Sequence, residues 1–108
     1  MVKSRKSGDQ LIVYLSGEID HCSADQLRGE IEKLLEDARI RLLILDFENV
    51  SFMDSSGVGM MIGRYKTMHE RGGFVRACGL KPEMEKLFRM AGLHRIIAQE
   101  DTGRQERA

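Results

Sequence analysis

The chain has 108 residues, 17 Lys plus Arg against 17 Asp plus Glu, and 42% hydrophobic residues. That length makes one domain able to bury about two-thirds of its unfolded surface, and the evenly spread charge offers no basic stripe to nucleic acid and no patch to an anionic membrane. Cys22 and Cys78 have no Cys-x-x-Cys spacing, which excludes a disulfide framework and favours a reducing cytoplasm; the short run Leu11 to Leu15 excludes a signal segment or span.

In chain order, Leu11 to Leu15 is apolar between Gly8-Asp9 and Gly17, which predicts a buried strand with residues 2–6 beside it as an edge. Residues 17–22 read as a loop. Ser23 as cap, with Gln26 three residues on, then opens a helix in which Ala24, Leu27, Ile31, Leu34, Leu35 and Ala38 share one face. Leu42 to Leu45 is apolar without alternation and predicts a central strand covered on both faces by helices.

A turn-rich stretch leads to Ser55. Val58, Met61, Ile62, Tyr65 and Met68 mark a second helix stopped by Gly72-Gly73, and residues 74–78 form a third core strand. Pro82 suits the first position of a third helix with Met84, Leu87, Phe88 and Ala91 inward and Gly92 at its end; Ile96-Ile97 add a short last strand. This alternation predicts an α/β domain over residues 1–98, a mixed, mostly parallel sheet of four to five strands with amphipathic helices on its faces. Residues 99–108 are expected to be a polar, mobile tail.

Parallel strands end at one edge, so the loop with Asp20, the turn Asp54-Ser55-Ser56-Gly57 and the turn from Gly79 to Pro82 should meet there. The simplest role for a serine in the second turn is to cap the following helix. A hydrolase elbow would need Gly-x-Ser-x-Gly, whereas Phe52 or Met53 stands in place of the first glycine, and His21, His69 and His94 fall in no triad order. Gly57-Val58-Gly59 lacks the Gly-Lys-Ser/Thr of a phosphate loop. His21-Cys22 has no second ligand pair at metal spacing.

Hence no catalytic residue, metal or cofactor is expected. Gly59 and Gly63, one helical turn apart, suggest close packing. Met53 and Met60 lie off the apolar stripe and, if exposed near Ser55, would give an adaptable contact surface; Met60 and Val58 fit either core or contact.

Gly17-Glu18-Ile19-Asp20, Phe52 through Gly59, Gly63-Arg64-Tyr65-Lys66, Gly72-Gly73, Leu87-Phe88 and Gly92-Leu93 together resemble the STAS domains of anti-sigma factor antagonists, above all the sporulation group of Bacillus-type bacteria. The resemblance covers roughly residues 8–97. It implies a cytoplasmic partner-switching protein. Its unphosphorylated form binds an anti-sigma factor that is also a serine kinase and so frees the sigma factor; a serine phosphatase reverses the kinase's modification.

Carried over by motif, the acceptor is Ser55, with Asp20, Asp54, Ser56, Gly57 and Val58 on the partner side. One departure is the short polar end, where the sporulation group carries more helix-forming apolar sequence. A STAS module that binds a small anionic ligand or scaffold without phosphorylation, and an enzyme using Ser55 or Cys22, are the competing readings.

Overall fold

The computed structural model describes residues 2–100. Strand β1 (Lys3–Ser7) turns at Gly8-Asp9 into β2 (Gln10–Ile19), which is followed by helix α1 (His21–Leu34) and strand β3 (Leu42–Met53). Helix α2 (Ser55–Glu70), strand β4 (Phe74–Cys78), helix α3 (Pro82–Met90), a 3-10 turn at Leu93–Arg95 and strand β5 (Ala98–Glu100) complete it. The sheet order is β1-β2-β3-β4-β5, antiparallel at the first pair and parallel at the other three. This is the expected mixed α/β sheet, with the edge strand in place.

Each parallel step moves the same way across the sheet. Right-handed crossovers therefore put α1, α2 and α3 on one face, because only a reversal of strand order would send a helix to the other. Leu43, Leu45, Val75 and Ala77 point to that face and join one core with Ile31 of α1, Met61 and Met68 of α2, and Phe88 of α3. The expectation that the strand at Leu42 to Leu45 is covered on both faces by helices is thus corrected. On the other face Ile12, Tyr14 and Leu42 are half-buried and Phe74 is 68% exposed.

Two boundaries also move. The last strand is Ala98–Glu100, not Ile96-Ile97, since Ile97 is a core side chain closing the 3-10 turn. The sheet therefore takes in Gln99 and Glu100 of the expected tail, and residues 101–108 lie outside the described residues.

The larger surprise is β3, which extends from Leu42 to Met53 and not only through the apolar run. Two register shifts against β2, between Tyr14 and Ser16 and between Gly17 and Glu18, each place an extra residue in β3. β4 ends at Cys78 opposite Asp46, so β2 and β3 continue beyond it, to Ile19 and Met53, as a two-stranded arm. At about 3.3 Å per residue the arm reaches roughly 20 Å past the end of β4.

Candidate functional site

The arm ends by launching both helices. Ile19 and Met53 are register partners, and the Asp54 N–H donates to the Ile19 carbonyl at 3.2 Å, so the starts of α1 and α2 lie side by side. Each helix is capped by an aspartate. The Asp54 Oδ1 accepts from the Ser56 N–H at 2.8 Å; the Asp20 Oδ1 accepts from the N–H groups of Cys22 at 3.1 Å and Ser23 at 3.0 Å. Both residues have the extended backbone of an N-cap.

The capping box is Asp20 with Ser23, whose Oγ accepts from the Asp20 N–H at 2.9 Å. Ser23 is therefore the third helical residue and not the cap, and Gln26 instead donates to Glu30 at 3.2 Å. Hydrogen bonding to the charged form, first from the Ser23 N–H, holds the Asp20 carboxyl below the usual carboxylate range.

Asp54 takes the role that the sequence left to a serine. Ser55, the first residue of α2, is exposed, and among the described residues its hydroxyl is not drawn into the helix start. Asp20, Asp54 and Ser56 are half-buried beside it. Gly57 and Val58 are buried and shape the helix start from within. Met53 and Met60 are also buried, at 6% and 4% exposure, so both belong to the core and not to an exposed contact.

Nor does the Gly79 to Pro82 turn join the site. It sits at the root of the arm, where Lys81 Nζ donates to the Glu48 and Val50 carbonyls at 2.8 and 2.9 Å. Phe52, half-exposed three residues before Ser55, is the aromatic group that sequence reasoning passed over. The bulges hid the strand that presents it, and an unexplained Phe beside the serines was the available signal.

Between the N-terminal halves of α1 and α2 runs a groove of about 510 Å³, with His21, Cys22 and Arg28 on one wall and Ser56, Gly59 and Met60 on the other. Gly59 and Gly63 do not serve close packing within the described chain: a Cβ on either would meet nothing within 4 Å. Arg28 is committed to Asp25 at 2.7 Å and Glu32 at 3.5 Å. Among the described residues no group of three or more His, Cys, Asp or Glu is placed to hold a metal, and no helix is long and apolar enough to cross a membrane.

Residues 1–106 match the STAS domain family. The chain belongs to that family. Among the proteins this STAS domain resembles, an anti-sigma F factor antagonist of Paenibacillus polymyxa is 38% identical over 87 residues, covering 81% of this chain and 74% of that protein. An anti-sigma-B factor antagonist of Bacillus subtilis is 34% identical over 97 residues, covering 89% and 86%.

Solved structures of SpoIIAA in its unphosphorylated and phosphorylated forms are 27% and 28% identical, with TM-scores of 0.78 and 0.76. Each aligns with 98% of this chain, and with 93% and 96% of the respective structure.

Proposed function

We propose that this STAS domain is an anti-sigma factor antagonist working by partner switching in the cytoplasm. Unphosphorylated, it binds an anti-sigma factor serine kinase and so frees the sigma factor. Phosphorylation of Ser55 by that kinase ends the binding, and a serine phosphatase restores it. The chain needs no cofactor and no catalytic residue of its own: Ser55 is the substrate of another active site.

The observation that carries this reading is the position of Ser55, exposed at the start of α2 and at the tip of the arm, directly after a cap that Asp54 supplies. The relatives named as antagonists, and the solved phosphorylated form of one similar protein, support it. A phosphate there gains from the N-terminal end of the α2 dipole, so the helix tolerates the modification.

The partner does not. The phosphate adds about 1.5 to 2 negative charges, and each facing a like charge about 4 Å away costs roughly 1 to 4 kcal/mol between water-like and surface-like dielectrics. That is about fivefold to a thousandfold in affinity without any refolding. An anion-binding module without a phosphorylation cycle is less well supported, because Arg28 in the groove already holds two carboxylates.

The test is incubation with a cognate anti-sigma kinase and ATP, read by intact mass. The parent and Ser56→Ala should each gain one phosphate and Ser55→Ala none. Equal gain by Ser55→Ala overturns the assignment. Tight kinase binding by Ser55→Asp would leave the partner standing but remove charge exclusion as the mechanism.

A further inference from the structure

The sheet face that no helix among the described residues covers has an apolar centre. Ile12, Leu42 and Ile44 line a hollow of about 300 Å³ there, and Phe74 stands beside Leu42. The register arranges this face in rows that run across all five strands. The row nearest the arm reads Lys3, Tyr14, Asp46, Cys78, Glu100, from β1 to β5. Its two ends carry opposite charge: Lys3 on one edge, Glu100 on the other. Arg5, one row back, adds to the positive side.

We propose that this face is an interface between two copies of the chain, packed about a two-fold axis that runs parallel to the strands along β3. The charge layout selects the axis. Rotation about a line parallel to the strands lays β1 of one copy over β5 of the other, so Lys3 meets Glu100 twice, and β4 lies over β2, so the aliphatic stem of Arg76 comes over Ile12. A two-fold perpendicular to the strands would instead set β1 on β1, bringing the Lys3 and Arg5 strand of one copy against the same positive strand of the other. The selected arrangement is the aligned sheet packing found in sandwiches, with the two faces about 10 Å apart.

On the axis, Leu42 and Ile44 meet their symmetry mates. Asp46 also reaches the axis, but it is 4% exposed and its Oδ1 is turned onto its own chain, accepting from the Glu48 N–H at 2.9 Å. Glu100 also accepts from Arg76 of its own chain at 2.9 Å, so Lys3 of the other copy joins an existing ion pair.

The face is roughly 20 Å across at about 4.8 Å per strand, and about three rows deep, so two copies bury on the order of 800 Å² in total. This lies in the range of weak, transient interfaces. The dimer should therefore form reversibly, with a Kd of roughly 10 μM to 1 mM.

Sedimentation of the full chain across that concentration range should show the mass rising from one chain towards two. Phe74→Glu, at an exposed position on this face, should hold it at one chain with an unchanged thermal melt. Lys3→Glu should weaken association about fivefold or more, and Lys3→Glu with Glu100→Lys should recover it by exchanging the charges. A single-chain mass at every concentration, association indifferent to Phe74→Glu, or a double variant no better than Lys3→Glu would each overturn the proposal.

Discussion

Gly57 shows how tightly the start of α2 is built. A Cβ there would come within 2.4 Å of Met53 Cγ, 2.6 Å of its Sδ and 3.1 Å of Ile19 Cγ2, the two side chains that end the arm. Gly57→Ala gains up to about 1 kcal/mol in helix propensity but has to displace Met53, and overpacking costs roughly 1 to 3 kcal/mol. A net loss of about 1 kcal/mol should appear as a lower urea midpoint. Asp54→Ala removes the cap and should cost about 1 kcal/mol in the same assay. The aspartate caps were hidden from the sequence for a simple reason: Ser and Asp serve equally well as N-caps, and only the backbone decides which residue stands outside the first turn. The serines of Asp54-Ser55-Ser56 were conspicuous; the residue that holds the turn was the acid before them.

At the scale of elements, α2 carries two glycines that its own fold does not require. A Cβ added to Gly59 or Gly63 would find no neighbour within 4 Å, yet each mid-helix glycine costs about 0.5 to 1 kcal/mol against alanine. Gly59→Ala and Gly63→Ala should therefore raise the unfolding free energy by about that amount each, measured by urea titration. Gly59 lines the groove beside Ser56, at the edge of the site where the proposed function places the kinase, so under that proposal Gly59→Ala weakens kinase binding while the protein becomes more stable; Gly63→Ala is the control. The helices were legible because their apolar residues recur at 3.6-residue spacing and Gly72, φ +76°, marks an end. The arm was not. Glu48, Asn49 and Ser51 are exposed, and two bulges break the alternation that begins at Leu43, Leu45 and Phe47, so the outer half of β3 reads as turn. The uncovered face was missed for a different reason: Leu42 to Leu45 is apolar without alternation, and Ile44 is buried, at 8% exposure, although no helix among the described residues lies above it.

For the whole molecule, the acidic groups that bind the edge strand to the first helix set the response to pH. Asp37, just beyond α1, accepts from Arg39 at 3.0 Å and from Lys6 of β1 at 3.0 Å; Glu30 of α1 accepts from the Val2 N–H at 2.9 Å. The Arg39 guanidinium first, and then Lys6, hold the Asp37 carboxyl far below its ordinary value, and the Val2 N–H lowers Glu30. Asp20 is lowered by the Ser23 N–H. Each of these groups binds its proton less readily when folded than when unfolded. Their contribution is therefore complete above the unfolded carboxylate values of about 4 and is lost as pH falls through the folded ones. The urea midpoint should be flat from about pH 7 to about 5 and then fall. Asp37→Asn should lower the midpoint at about pH 7 and flatten the decline below about pH 4, and added salt should shrink the difference because Lys6 and Arg39 are solvent-exposed. An acid limb with the parent's slope in Asp37→Asn would show that Asp37 does not govern it. Since β1 also carries Lys3, loosening this edge at low pH should weaken self-association before the domain unfolds, visible as a falling sedimentation mass while the far-UV signal is still intact.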